Sequence, residues 1–131
     1  MAWESGPSVK LPGFTAAADL STAQYKFVKI TGAGQVNLCT AVTDIACGVL
    51  QNAPRSGEAA EILAFGVSKV VSSAGLAVNA LIGTTTGALA VAKVVGTDTT
   101  NYVFGKVIVA SGNANELAVA TINCMAPSRA A

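Results

Sequence analysis

The chain has no histidine. That removes the commonest general base and the commonest metal ligand, and it excludes a Ser-His-Asp or Cys-His arrangement within one chain. Charge is scarce too: 11% of the 131 residues are charged, against roughly 25% in an ordinary soluble domain. Aromatic residues make up 5% of a chain that is 52% hydrophobic, so the apolar content is mostly alanine and valine. Such side chains bury little area each, and a core made from them needs many close contacts, within the chain or against partners. Long apolar runs are missing. The most apolar window, 75–83, contains Asn79 and falls well short of the about 20 residues that span a bilayer. The opening residues, Met1 to Gly6, carry neither the basic region nor the apolar stretch of a signal peptide. A soluble protein made in a cytoplasm, with no membrane partner, is the expectation.

The eight Lys and Arg residues are scattered from Lys10 to Arg129 and the formal net charge is +1. Without a basic stripe, binding to nucleic acid through its phosphates is not expected. A weakly charged surface is tolerable where neighbours cover it, which points to assembly. The three cysteines, Cys39, Cys47 and Cys124, form neither a CxxC pair nor an even framework. They read as buried, reduced thiols and not as disulfides or zinc ligands. Among the seven carboxylates, Glu58 and Glu61 flank a strand start and read as a solvated rim, while Asp44 and Asp98 lie in polar turns that favour Asp. Gly32-Ala33-Gly34 lacks the third glycine and the helix of a dinucleotide fingerprint, and Gly83 to Gly87 has no lysine after it. The expectation is a non-enzyme with no catalytic residues, no cofactor and no metal.

Residues 1–18 read as an extended N-terminal arm, broken by Gly6, Pro7, Pro12 and Gly13. It carries Trp3, Leu11 and Phe14, large apolar groups that either fold back onto their own domain or lie on another subunit. A β domain follows over 19–125, and 126–131 is a tail with Pro127. A short helical turn is expected over 16–24, and the alanine-rich stretch 75–81 is compatible with helix or strand. Strands are expected over 25–31, 36–40, 47–51, 78–82, 88–95, 102–110 and 116–124. The stretch 60–72 alternates at period two, with Glu61, Leu63, Phe65, Val67, Lys69 and Val71 on one face. Gly66 marks a bend between two strand halves there, and Gly105 marks a bulge. Roughly eight short strands with turn signals at about 8–12-residue spacing make an all-β fold, a small barrel or sandwich.

From Asp44 onward the sequence resembles the capsid decoration (cement or head-stabilising) proteins of tailed bacteriophages. The likeness lies in the order of Asp44-Ile45-Ala46-Cys47-Gly48-Val49-Leu50-Gln51-Asn52-Ala53-Pro54, Gly57-Glu58-Ala59-Ala60-Glu61-Ile62 and Phe65-Gly66-Val67-Ser68-Lys69-Val70-Val71. Then come Val78-Asn79-Ala80-Leu81-Ile82-Gly83, Thr86-Gly87, Gly105-Lys106-Val107-Ile108 and a closing strand from Glu116 to Ile122. The resemblance implies a virion protein on the capsid exterior that binds the major capsid protein, often as a homotrimer at three-fold or quasi-three-fold positions. Weak contacts to several subunits add through multivalency, and binding only the assembled shell stabilises it. Trp3, Leu11 and Phe14 are then the candidate capsid or subunit contacts. A tail-tube or fibre domain fits the same composition. A carbohydrate-binding module fits less well, with one Trp and two Tyr in the chain.

Overall fold

The computed structural model describes residues 8–131, and every regular element among them is a β-strand. In chain order these are β1 (Val9–Leu11), β2 (Thr15–Ala16), β3 (Phe27–Gly32), β4 (Gln35–Leu38), β5 (Gly48–Leu50), β6 (Ile62–Val71), β7 (Leu81–Thr84), β8 (Ala90–Ala92), β9 (Tyr102–Val103), β10 (Gly105–Val109), β11 (Leu117–Asn123) and β12 (Ser128–Arg129). Ten of them form one sheet in the order β2-β4-β3-β5-β6-β11-β10-β7-β8, with β1 also on β6, and β12 pairs with β9 separately. The sheet is not closed into a barrel. It curls, so that Ser72 at the end of β6 bridges Ala90 of β8. The amide of Phe27 also donates to the carbonyl of Ala88, 3.0 Å away. The result is sandwich-like, with two halves of one sheet packed face to face.

The core between those halves is built on Phe27 and Phe104, whose ring centroids lie 5.3 Å apart. Small residues fill the space around them: Val49, Val70, Val107, Ala118 and Ala120 are all buried. A second cluster gathers Ala16, Leu20, Val28, Val36, Leu50 and Ile62, with Leu11 and Phe14 packed against it. The small side chains let the backbones approach, which is how a chain so poor in aromatics still buries a core.

Four details depart from the sequence expectation. Residues 16–24 hold a single turn, the Ala23 amide donating to the Leu20 carbonyl at 3.0 Å, and no helix: Leu20 and Ala23 drop into the second cluster, and the amide of Ser21 donates to Asp19 Oδ1 at 3.0 Å, an Asx-type turn that competes with helix. The stretch expected as one strand over 102–110 splits at Phe104, which turns into the core, leaving β9 and β10 in different sheets. The tail residues Ser128 and Arg129 pair with Val103 and Tyr102, and the Arg129 guanidinium lies 5.5 Å from the Tyr102 ring centroid. Residues 60–72 give one continuous strand, β6, not two halves. Gly66 within it has φ +139, a backbone conformation open essentially to glycine.

β6 organises the sheet. Its first residues, Ile62 and Leu63, pair with β5. Its opposite edge pairs with β11 from Phe65 to Val71. β1 takes over that second edge from Phe65 back to Ile62. Residues 9–11 and 15–16 of the expected arm therefore lie within the sheet, β1 on β6 and β2 on β4.

Gly105 sits where β10 meets β11, and a Cβ there would collide with the carbonyl of Thr121. Gly105→Ala is expected to cost about 2–3 kcal/mol through overpacking against backbone. Gly87→Ala, where the nearest atom is Thr85 Oγ1 at 3.8 Å, should stay within about 0.5 kcal/mol of the parent. Equilibrium denaturation of the two variants checks the contrast.

Candidate functional site

The ionisable side chains are engaged in holding turns. Five of the seven carboxylates accept a backbone amide: Asp19 from Ser21, Asp44 from Thr40 and Ala41, Glu58 from Arg55, Asp98 from Val94, and Glu116 from Gly112 and Asn113. Glu61, expected on a solvated rim, is exposed. Asp44 also receives Lys29 Nζ at 2.9 Å. Burial pushes the Asp44 carboxyl up, but the Lys29 hydrogen bond and the two amides outweigh it and hold the group below its ordinary value. The amides of Gly112 and Asn113 do the same for the exposed Glu116. Lys93 is buried and donates to Asn101 Oδ1 at 3.1 Å. Burial lowers its pKa, with Asp98 opposing.

The three cysteines are free. Burial pushes the thiol of Cys39 up to about 12 and that of Cys47 up to about 11, and it raises Cys124 as well. Such thiols are poor nucleophiles and poor ligands. Among the described residues no group of three or more His, Cys, Asp or Glu could hold a metal ion.

What the fold does present is an apolar sheet face. On the solvent side of the β6–β11 ladder, Phe65 lies opposite Asn123, Val67 opposite Thr121 and Val71 opposite Leu117. Between the first two rungs lies a third, Gly66–Ile122–Gly105, spanning three strands. Ile122 is turned into the core and the glycines bring no side chain, so the floor of this rung is bare backbone. The outcome is a groove of about 440 Å³, lined by Phe65, Gly66, Val67, Gly105, Thr121, Ile122 and Asn123, with no charged residue in its wall. Phe65 is 46% exposed and its partner Val9 40%; farther along the same face Leu117, opposite Val71, is 49% exposed. Ile30, Ile45, Val94 and Val95 are at least as exposed away from this ladder; on this face the exposed apolar groups accompany a groove, the kind of patch that marks an interaction surface. Lysines rim it: Lys106, exposed, pairs with Thr121, and Lys69, on the same face, places Nζ 5.7 Å from the Tyr25 ring centroid.

Of the residues singled out as contacts in the sequence, Leu11 and Phe14 are half-buried against the second core cluster. Leu11 pairs with Ile62. Trp3 lies outside the described residues. The groove residues were not anticipated. Their signal was the period-two face of Glu61, Leu63, Phe65, Val67, Lys69 and Val71, which mixes charge with bulk; Leu63 is buried, while Phe65 is exposed and Val67 and Lys69 are half-buried.

No protein-family model matches the chain, and no curated protein matches it. The likeness to decoration proteins therefore rests on motif order alone. Among solved structures, the fold is similar to the crystal structure of the head fiber gp8.5 N base of bacteriophage phi29. That match has a TM-score of 0.65 and 15% identity, and it covers 90% of this chain and 94% of the other. At that identity the likeness is one of fold.

Two outcomes follow from the turn and thiol chemistry. Asp44→Ala should cost about 1–2 kcal/mol at neutral pH, since it removes two amide acceptors and one ion pair. Asp44 has a lowered pKa in the folded chain, so its contribution is present above the ordinary carboxylate range and is lost as pH falls through the folded value. The gap between variant and parent should close over that acid window in denaturant titrations. The thiols should react with a disulfide reagent at pH 8 about a hundredfold more slowly in the native chain than in guanidinium. Absorbance of the released thiolate measures it.

Proposed function

We propose that the protein is a structural component of a tailed-phage virion that binds the outer surface of the head. There it contacts the major capsid protein and stabilises the shell as a decoration protein. The observation that carries this reading is the fold shared over nine-tenths of the chain with the base of a phage head fibre. Two further features support it. Five of the seven carboxylates hold turns and burial suppresses thiol ionisation, which fits a part that acts by contact. One sheet face exposes Phe65 and Leu117, the kind of anchors that low-charge surfaces use in assembly. A homotrimer at three-fold or quasi-three-fold positions is the proposed arrangement, in which weak contacts from each copy add. Trp3, at the N-terminal end of the arm, is the proposed shell or subunit contact, with Leu11 and Phe14 fastening the base of the arm to the domain.

A second reading has a specific observation in its favour. The same fold likeness fits the shell-attached base of a fibre. The two differ in consequence. A decoration protein stabilises the whole shell by linkage, because it binds the assembled lattice and not its free subunits. A fibre base needs only to hold on.

Purified protein mixed with phage heads should co-sediment saturably and raise the melting temperature of the shell by several degrees. Binding without a melting shift would favour the fibre base, and binding to tails alone would refute both. Removing residues 1–7, which leaves β1 and β2 in place, should weaken head binding at least about tenfold, or about 1.4 kcal/mol, with the far-UV spectrum unchanged.

A further inference from the structure

Lys93 and Asn101 are both buried, and they meet across the base of one loop. Lys93 follows the last residue of β8, and Asn101 precedes the first of β9. Backbone hydrogen bonds hold each in place. The Lys93 amide donates to the Leu81 carbonyl at 2.8 Å. The Asn101 amide donates to the Asp98 carbonyl, and the Asn101 carbonyl accepts the Ala130 amide, both at 2.9 Å. Gly83 of β7 makes room for the lysine stem: a Cβ there would stand 2.8 Å from Lys93 Cε and would also meet the carbonyl of Tyr102.

This arrangement sets a nucleophile against an electrophile. Lys93 Nζ lies 3.1 Å from Asn101 Oδ1, and the carboxamide carbon is one bond farther on. Groups held this close by a fixed frame avoid most of the entropy cost of meeting. Burial favours the neutral amine of Lys93, with Asp98 opposing, and the neutral amine is the form that attacks a carbonyl. Among the described residues no carboxylate forms an ion pair with Lys93. A buried ammonium answered only by a neutral amide is costly, and turning the amine into an amide removes that charge. Asp98 is the carboxylate whose charge acts on Lys93. Its Oδ2 accepts the Val94 amide at 2.7 Å, which keeps the group beside the lysine's own backbone.

We propose that Lys93 and Asn101 join in an intramolecular isopeptide bond. Nζ attacks Asn101 Cγ, a C–N bond forms, the Cγ–Nδ2 bond breaks, and Nδ2 leaves as ammonia. One proton passes from Nζ to the departing nitrogen, so atoms and charge balance with no co-reactant. Asp98 carries that proton, directly or through one water. The bond ties the end of β8 to the start of β9. It is internal to one chain, so it stands or falls independently of any role at the phage head.

Tryptic mapping of the folded full-length protein, denatured just before digestion, reads the bond. Trypsin does not cut after an acylated lysine. One peptide spanning 70–106 should therefore appear, lighter than its sequence mass by about 17 Da, one ammonia. Lys93→Arg and Asn101→Ala should each restore full mass and cleavage at position 93. They remove opposite partners, so either serves should the other fail to fold. Asp98→Asn should leave most of the chain unlinked under conditions where the parent is fully linked. Three results would overturn the proposal: separate peptides 70–93 and 94–106 at full mass from the folded parent, ammonia loss with Lys93 still cut, or a mass deficit that survives Asn101→Ala. The second would assign the loss to an imide at Asn101 alone. Complete linkage in Asp98→Asn would overturn the role of Asp98.

Discussion

Both edges of β6 are occupied, and the partner on one of them changes at Phe65. Much of the molecule follows from that exchange. Because β11 ends where β1 begins, the chain must pass a point at which neither strand continues. Gly66, at φ +139, absorbs the local backbone distortion. Because Ile122 is buried on the rung next to that point, that rung turns only backbone to the solvent side, which is left with a hollow. The groove is the surface expression of a pairing problem solved inside the sheet. Its lining residues are fixed by ladder register, which makes the hollow rigid and suited to receiving an apolar group without much ordering cost.

The scarcity of charge acquires a use in this light. With so few carboxylates, nearly all are placed where a turn leaves amides without partners, as Asp44 is beside Thr40 and Ala41. The thiols are withdrawn into apolar surroundings that suppress their ionisation. The β6–β11 face carries the exposed Phe65 beside the groove and the exposed Leu117 farther along.

Several parts of this were legible in the sequence and others were not. The β-branched runs gave β3, β5, β6 and β11 close to their observed positions, since period-two burial is a local signal, while β7 lies two to three residues later than its expected 78–82. The special backbone at Gly66 was legible for the same reason, as a glycine inside a strong strand pattern. The break at Phe104 was not, because only the tertiary pull of Phe27 explains why that side chain leaves the strand. The pairing of β12 with β9 was hidden as well: a tail of Ser128 and Arg129 becomes a strand only through a partner distant in sequence. Leu11 and Phe14 stood out for their size on an irregular segment, and a linear reading could not tell an own-domain seat from another subunit. The groove was invisible because it is made by what is missing on three strands at once.

The central claim is that this chain works as a surface-binding part of a phage head through the β6–β11 face and the N-terminal segment next to it. A cryo-electron microscopy reconstruction of heads decorated with the protein tests it most directly. The account predicts density for this fold on the outside of the shell at symmetry-related positions, with Phe65, Leu117 and the N-terminal segment on the side that meets shell or sister copies. Heads that carry no such density at saturating protein, or density in which that face points wholly to solvent, would contradict it.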